Sequence, residues 1–169
     1  IHAAVNCASL SCPDLRADAA PYLRLLEAAA ATSGLRHLFV STGVRMDLAL
    51  LSPPLVEALA FHHTSGQLKV APEHVCPSVL ARMRKPRAED FDRFLRLHRR
   101  LSAKAGRQQF VVPYLMAAHP GSRLEHMLEL ALYLRERDVR AEQCQIFTPT
   151  PGTAATVMYA TGLDPSSLE

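Results

Sequence analysis

The sequence has no apolar run approaching a membrane span; stretches such as Leu48–Leu51 and Phe110–Val112 are only a few residues long, where about twenty are needed. It also lacks a secretion signal in its first residues and any low-complexity block, so a globular, soluble, cytoplasmic protein without membrane contact is expected. Cysteine is scarce. The four, Cys7, Cys12, Cys76 and Cys144, are unevenly spaced, which argues against a disulfide framework and leaves free or metal-binding thiols. There is no initiating methionine: the chain starts at Ile1, and an excised piece of a longer polypeptide becomes one expectation.

What is present is ordinary in proportion. A chain of 169 residues, 49% hydrophobic and 21% charged, suits one domain with a buried core. The net charge of +3 is spread out, with a denser patch over 82–100. Arg93, Arg96, Arg99 and Arg100 form a basic stripe, but Glu89, Asp90 and Asp92 dilute it. A solvated helix face is expected, with a phosphate backbone as the alternative.

Residues 1–17 show no periodicity and form a cysteine-containing loop segment. Cys7 and Cys12 are either incidental thiols or half of a zinc site whose other ligands lie upstream. From Asp18, which is placed to cap, Tyr22, Leu25, Leu26 and Ala29 recur at helical spacing until Gly34. Arg36 to Ser41, centred on Leu38, Phe39 and Val40, reads as the first buried strand. The loop from Ser41 to Asp47 follows, and Ser41 with Arg45 suits either a small anionic ligand or plain solvent.

Ser52 and Pro53 open the next helix, whose end carries His62 and His63, favoured there by the dipole. The second strand starts near Gln67 and ends at Pro72, because proline cannot extend a parallel ladder. Glu73 and His74 therefore stand at its carboxyl edge. A short helix from Pro77 is broken at Lys85-Pro86, and a longer one over 87–105 turns Phe91, Phe94, Leu95, His98 and Leu101 inward. Gln108 to Met116 is the third strand, with a bulge expected at Pro113-Tyr114. Ser122 and Glu125 suit a capping box for a helix whose apolar face is Leu124, Met127, Leu128, Ala131 and Leu132. Gln143 to Phe147 is the fourth strand, and 164–169 form a tail.

Strands alternating with helices in this way predict an α/β fold with about four parallel strands in order. Each strand runs into a polar loop bearing glycine or proline. Ser41 to Asp47, Glu73-His74, His119 to Gly121 and Thr148 to Thr153 would then line one rim, where parallel α/β folds bind ligands. The edge at Arg36–Ser41 would be covered by residues 1–17 or by a second copy of the chain, since bare edges associate.

The runs HHTSGQLKVAPEHV, MRKP, QFVVPYLMAAHPGSRLEHMLELALYL, QIFTPTPGT and MYATGLDP resemble the C-terminal part of the radical-SAM domain in the YgiQ-like family, over about residues 12–165. The resemblance implies the second half of a TIM-like (β/α) barrel, here over 18–163. Full-length members are expected to bind a [4Fe-4S] cluster and S-adenosylmethionine and to act as iron–sulfur oxidoreductases. Their cluster motif, CxxxCxxC, is absent from this sequence, so no cluster and no independent activity are expected of this chain. By resemblance and rim position, Ser41, Arg45, Lys69 and Glu73 would meet the cofactor, and His74, Tyr114 and His119 the substrate. The alternatives are a stand-alone ligand-binding or assembly module, and a small zinc protein.

Overall fold

Proline and left-handed turns mark where the elements begin and end in the computed structural model, which describes residues 15–168. Helix α1 (Ala20–Ala30) has Pro21 in its first turn, and Asp18 Oδ1 accepts the Ala20 N–H at 2.9 Å. Two short helices, α2 (Met46–Leu50) and α3 (Pro53–Ala58), follow, and α3 runs on into a π-helical turn, Leu59–His63. Strand β1 (Gln67–Glu73) leads to α4 (Pro77–Met83) and α5 (Ala88–Lys104). Strand β2 (Phe110–Ala117), α6 (Leu124–Glu136), β3 (Gln143–Ile146) and α7 (Ala154–Thr161) complete the order.

The three strands form a parallel sheet in the order β1-β2-β3. Leu68 and Val70 of β1 and Leu115 of β2 are buried against Phe91, Phe94 and Leu95 of α5. Phe91 and Phe94 are fully buried, and each contributes about 1.5–3 kcal/mol relative to exposure. With α5 on one face, the other face carries Lys69, Val112 and Tyr114.

The strand expected over Arg36–Ser41 does not form. The Val40 N–H donates to His63 O at 2.9 Å, at the end of the π turn, and only Val44 reaches β1, donating to Lys69 O at 2.8 Å in one parallel bridge with Val70. Leu38, Phe39 and Val40 have strand propensity but no ladder partner, and Phe39 is left exposed. Among the described residues the sheet is therefore three-stranded and open, without a fourth strand and without barrel closure.

Four smaller expectations also change. Pro72 lies within β1, and the irregularity falls there, between Val70 and Glu73, while β2 runs straight through Pro113. Phe110 N–H bonds Gly66 O, just before β1, so the Pro113 nitrogen points to the other side, below the level at which β3 begins to pair, where its missing N–H costs nothing. Helix α6 buries Leu130 and Leu134 while Leu124 is 82% and Leu128 60% exposed; a helix with leucine all round lets its neighbours choose the face. Its cap is not the Ser122–Glu125 box: the Arg123 N–H donates to His126 Nδ1 at 3.1 Å.

Candidate functional site

The end of β1 divides two neighbouring side chains. At the irregularity Glu73 takes a left-handed backbone, φ 64°, and the His74 N–H folds back on Pro72 O at 2.7 Å. Glu73 stays half-buried while His74 is wholly buried. Lys85 reaches Glu73 Oε1 at 3.1 Å, because α4 stops at a left-handed Arg84, φ 54°, that turns the chain back. At the end of β2, beyond Ala118 at φ 58°, His119 packs edge-on against Phe147 at 5.6 Å.

Of these side chains Glu73, Lys85, His119 and Phe147, but not His74, border one cavity of about 270 Å³ at the carboxyl ends of the strands, lined also by Met116 and Gln145. Thr148, Thr150 and Thr153 complete its rim. That loop is held by its own hydroxyls: Thr156 Oγ1 donates to Thr150 O at 2.7 Å, and Thr153 Oγ1 caps α7 by accepting the Thr156 N–H at 3.2 Å.

The two histidines are in different chemical states of use. His74 Nδ1 accepts the N–H groups of Val75 at 2.9 Å and Cys76 at 3.0 Å, so the neutral ring carries its proton on Nε2, which is buried without a partner. Burial, reinforced by His126 and His119 and opposed by Glu129, holds its pKa below the usual histidine value. His119 instead donates from Nδ1 to Pro120 O at 3.0 Å, leaving Nε2 as an acceptor in the neutral ring. Burial also lowers its pKa, aided by Arg82 and opposed by the Pro120 hydrogen bond and Glu73. The cavity therefore presents the Glu73–Lys85 ion pair and an imidazole lone pair, a set suited to hydroxyl and ammonium groups.

The remaining candidates lie elsewhere. Arg45 grips Asp47 with Nε to Oδ1 at 2.9 Å and Nη2 to Oδ2 at 2.8 Å; that hydrogen bond raises its pKa against the opposing effect of burial. It lines a separate cavity of about 410 Å³ with Tyr22, Thr42 and Gly43. Ser41 is exposed. Lys69 and Tyr114 stand on the sheet face opposite Leu68, with Lys69 level with Val112. Glu73 and His119 share a cavity; Arg45 does not join them.

The chain resembles proteins of known sequence over most of its length. A protein of Geobacter sulfurreducens is 52% identical over 141 residues, one of Clostridium perfringens 44% over 160, and one of Pseudomonas syringae pv. tomato 40% over 154. All three are UPF0313 proteins. The matches take in 83%, 94% and 91% of the chain but only 23%, 24% and 20% of these UPF0313 proteins, so the chain spans about a quarter of their length or less. No protein-family model matches it.

Among the described residues no group of three or more His, Cys, Asp or Glu side chains suits a metal ion, and of the two described cysteines Cys76 is buried and Cys144 exposed. Cys7 and Cys12, with the zinc reading and most of the 1–17 segment, lie outside the described residues. No helix among those residues is long and apolar enough to cross a membrane. Sequence reasoning missed Lys85, Met116, Gln145 and Phe147 as cavity residues. The Lys85-Pro86 pair marked a helix end, but only the left-handed Arg84 aims Lys85 at Glu73.

Proposed function

We propose that this chain supplies the strand-end wall of a cofactor and substrate pocket in a radical-SAM (β/α) barrel of the YgiQ-like type, within a larger UPF0313-like polypeptide. The observation that carries this reading is Glu73 and His119, from adjacent strand ends, lining one cavity. The sequence resemblance and the small share of the UPF0313 proteins spanned by the chain support it.

The cavity fits part of S-adenosylmethionine. Glu73, steadied by Lys85, would accept hydrogen bonds from ribose hydroxyls or the ammonium group. Met116 and Phe147 offer an apolar wall beside it. His119 Nε2 would accept a proton or hydrogen bond from substrate, and Lys69 and Tyr114 would extend the surface along the open sheet face. When bound and reduced, the cofactor supplies a 5′-deoxyadenosyl radical. The described residues do not fit a [4Fe-4S] cluster, since they contain no set of three thiolates, and no step is assigned to one.

Titration calorimetry of the chain with S-adenosylmethionine tests the reading. Binding that weakens at least tenfold, about 1.4 kcal/mol, in Glu73→Gln is the expected result. No binding, or binding indifferent to Glu73, overturns it. Anaerobic treatment with iron and sulfide is expected to leave the chain without a stoichiometric cluster.

A further inference from the structure

At the other end of the sheet, residues that precede β1 and β2 enclose a cavity of about 390 Å³ with Arg36, His37, His62, His63, Arg107 and Glu27 on its walls. Glu27 is the only carboxylate among its lining residues. Neither the Arg36 nor the Arg107 guanidinium forms an ion pair or side-chain hydrogen bond with a described residue. Two arginines against one glutamate among the lining residues leave an excess of positive charge around a concavity, where field lines are focused.

One lining residue is fixed by hydrogen bonds on both its ring and its backbone. His63 is only 6% exposed and donates from Nδ1 to Leu38 O at 2.9 Å, while its own carbonyl accepts the Val40 N–H at 2.9 Å. Those bonds tie the segment after α1 to the π turn, and they commit one ring nitrogen. In the neutral ring Nε2 is an acceptor without a partner, on a nine-tenths buried side chain that borders the cavity. Arg107, also among the lining residues, follows the left-handed Gly106, φ 65°.

We infer that this cavity binds a phosphate group, free or as the monoester of a small organic molecule. Planar guanidinium forks match the oxygens of an oxyanion. With the His63 ring neutral, its Nε2 selects among oxyanions: hydrogen phosphate retains an O–H to donate to it, whereas sulfate has none and would set two lone pairs against each other. The volume leaves room for an organic body beside the phosphate. This site is independent of the strand-end pocket and stands or falls separately from it.

Calorimetry at matched ionic strength, with the whole chain, distinguishes the outcomes. Inorganic phosphate and glycerol 3-phosphate are both expected to bind, phosphate at least tenfold more tightly than sulfate, and tighter binding of the ester assigns the organic body. Arg36→Ala and Arg107→Ala, both at exposed positions, are expected to fold normally and each to weaken phosphate at least tenfold. Equal affinity for sulfate and phosphate overturns the inference, as does binding unchanged in both arginine variants. Binding of an RNA oligonucleotide by a chain that ignores millimolar phosphate also overturns it, in favour of a backbone-tracking surface.

Discussion

The Glu73 carboxylate and the Lys85 ammonium meet at 3.1 Å on the wall of the strand-end cavity, and Glu73 holds a left-handed backbone to be there. A non-glycine residue in that region costs about 1 kcal/mol or more. The ion pair, with Lys85 33% exposed, returns at most a few tenths of a kcal/mol. Stability alone would favour glycine. Glu73→Gly is therefore expected to leave unfolding in urea unchanged or stabilised by up to about 1 kcal/mol, while abolishing whatever ligand binding the cavity supports. A loss above about 2 kcal/mol would show instead that the carboxylate serves the fold.

His98 is the buried group most sensitive to acid. It is fully buried on α5, stacked on Phe94 at 6.1 Å, and both ring nitrogens lack partners. Burial pushes its pKa from 6.5 down to about 4. Because the folded value is the lower one, its stabilisation is present above pH 6.5 and is lost as pH falls toward 4, on the order of 3 kcal/mol. His74 and His119 are shifted the same way and add to the slope. His98→Leu should flatten this acid limb in pH-dependent denaturant titrations and raise stability at pH 7 by about 1–2 kcal/mol, since it removes unpaired polar atoms.

A second electrostatic group is built to be kept. Asp92 accepts from Tyr133 Oη at 2.6 Å and from Arg137 Nε at 2.6 Å, with the guanidinium lying over the Tyr133 ring at 3.6 Å. Burial opposes ionisation of Asp92, but the hydrogen bonds from Arg137 and Tyr133 outweigh it and hold its pKa below the usual carboxylate value. Its contribution is present above about pH 4 and is lost as pH falls through the lowered value. Asp92→Ala should cost about 1–3 kcal/mol by thermal unfolding at pH 7, with the cost shrinking at strongly acid pH.

Gly121, in the turn after His119, has φ 81°, and a Cβ there would sit 2.6 Å from Arg82 Cδ. Arg82 Nη1 donates to Ser78 O at 3.0 Å and would have to move. Gly121→Ala should destabilise by about 1–2 kcal/mol. A second substitution, Arg82→Ala, removes the clash but not the backbone strain, so it should restore only part of the loss.

The two sides of α6 should respond oppositely. Leu130 is 2% exposed, and Leu130→Ala should cost about 2–5 kcal/mol. Leu128, 60% exposed, should tolerate Leu128→Gln within about 0.5 kcal/mol. Equal costs at both positions in urea titrations would mean that the outer leucines are covered by another surface.

Strand and helix positions were legible because each is a local pattern with local punctuation. β1 starts at Gln67 as expected, α4 and α5 flank the break at Lys85-Pro86, and α5 turns Phe91, Phe94, Leu95, His98 and Leu101 inward. The inward face of α5 was readable because its outer face is charged. α6 carries leucines on both faces, so its burial depended on which neighbour arrived.

What the sequence by itself determined is the alternation of elements and the polar loops that follow the strands, since hydrophobic period, proline and glycine act over a few residues. Only the tertiary structure decided the rest. It denied Arg36–Ser41 a ladder by giving the Val40 N–H to His63 O, kept Arg45 out of the cavity that Glu73 and His119 share, and brought Lys85 to Glu73. Hydrogen-bond partners and ion pairs between segments are choices among competitors far apart in the chain, and no local pattern encodes which competitor lies within reach.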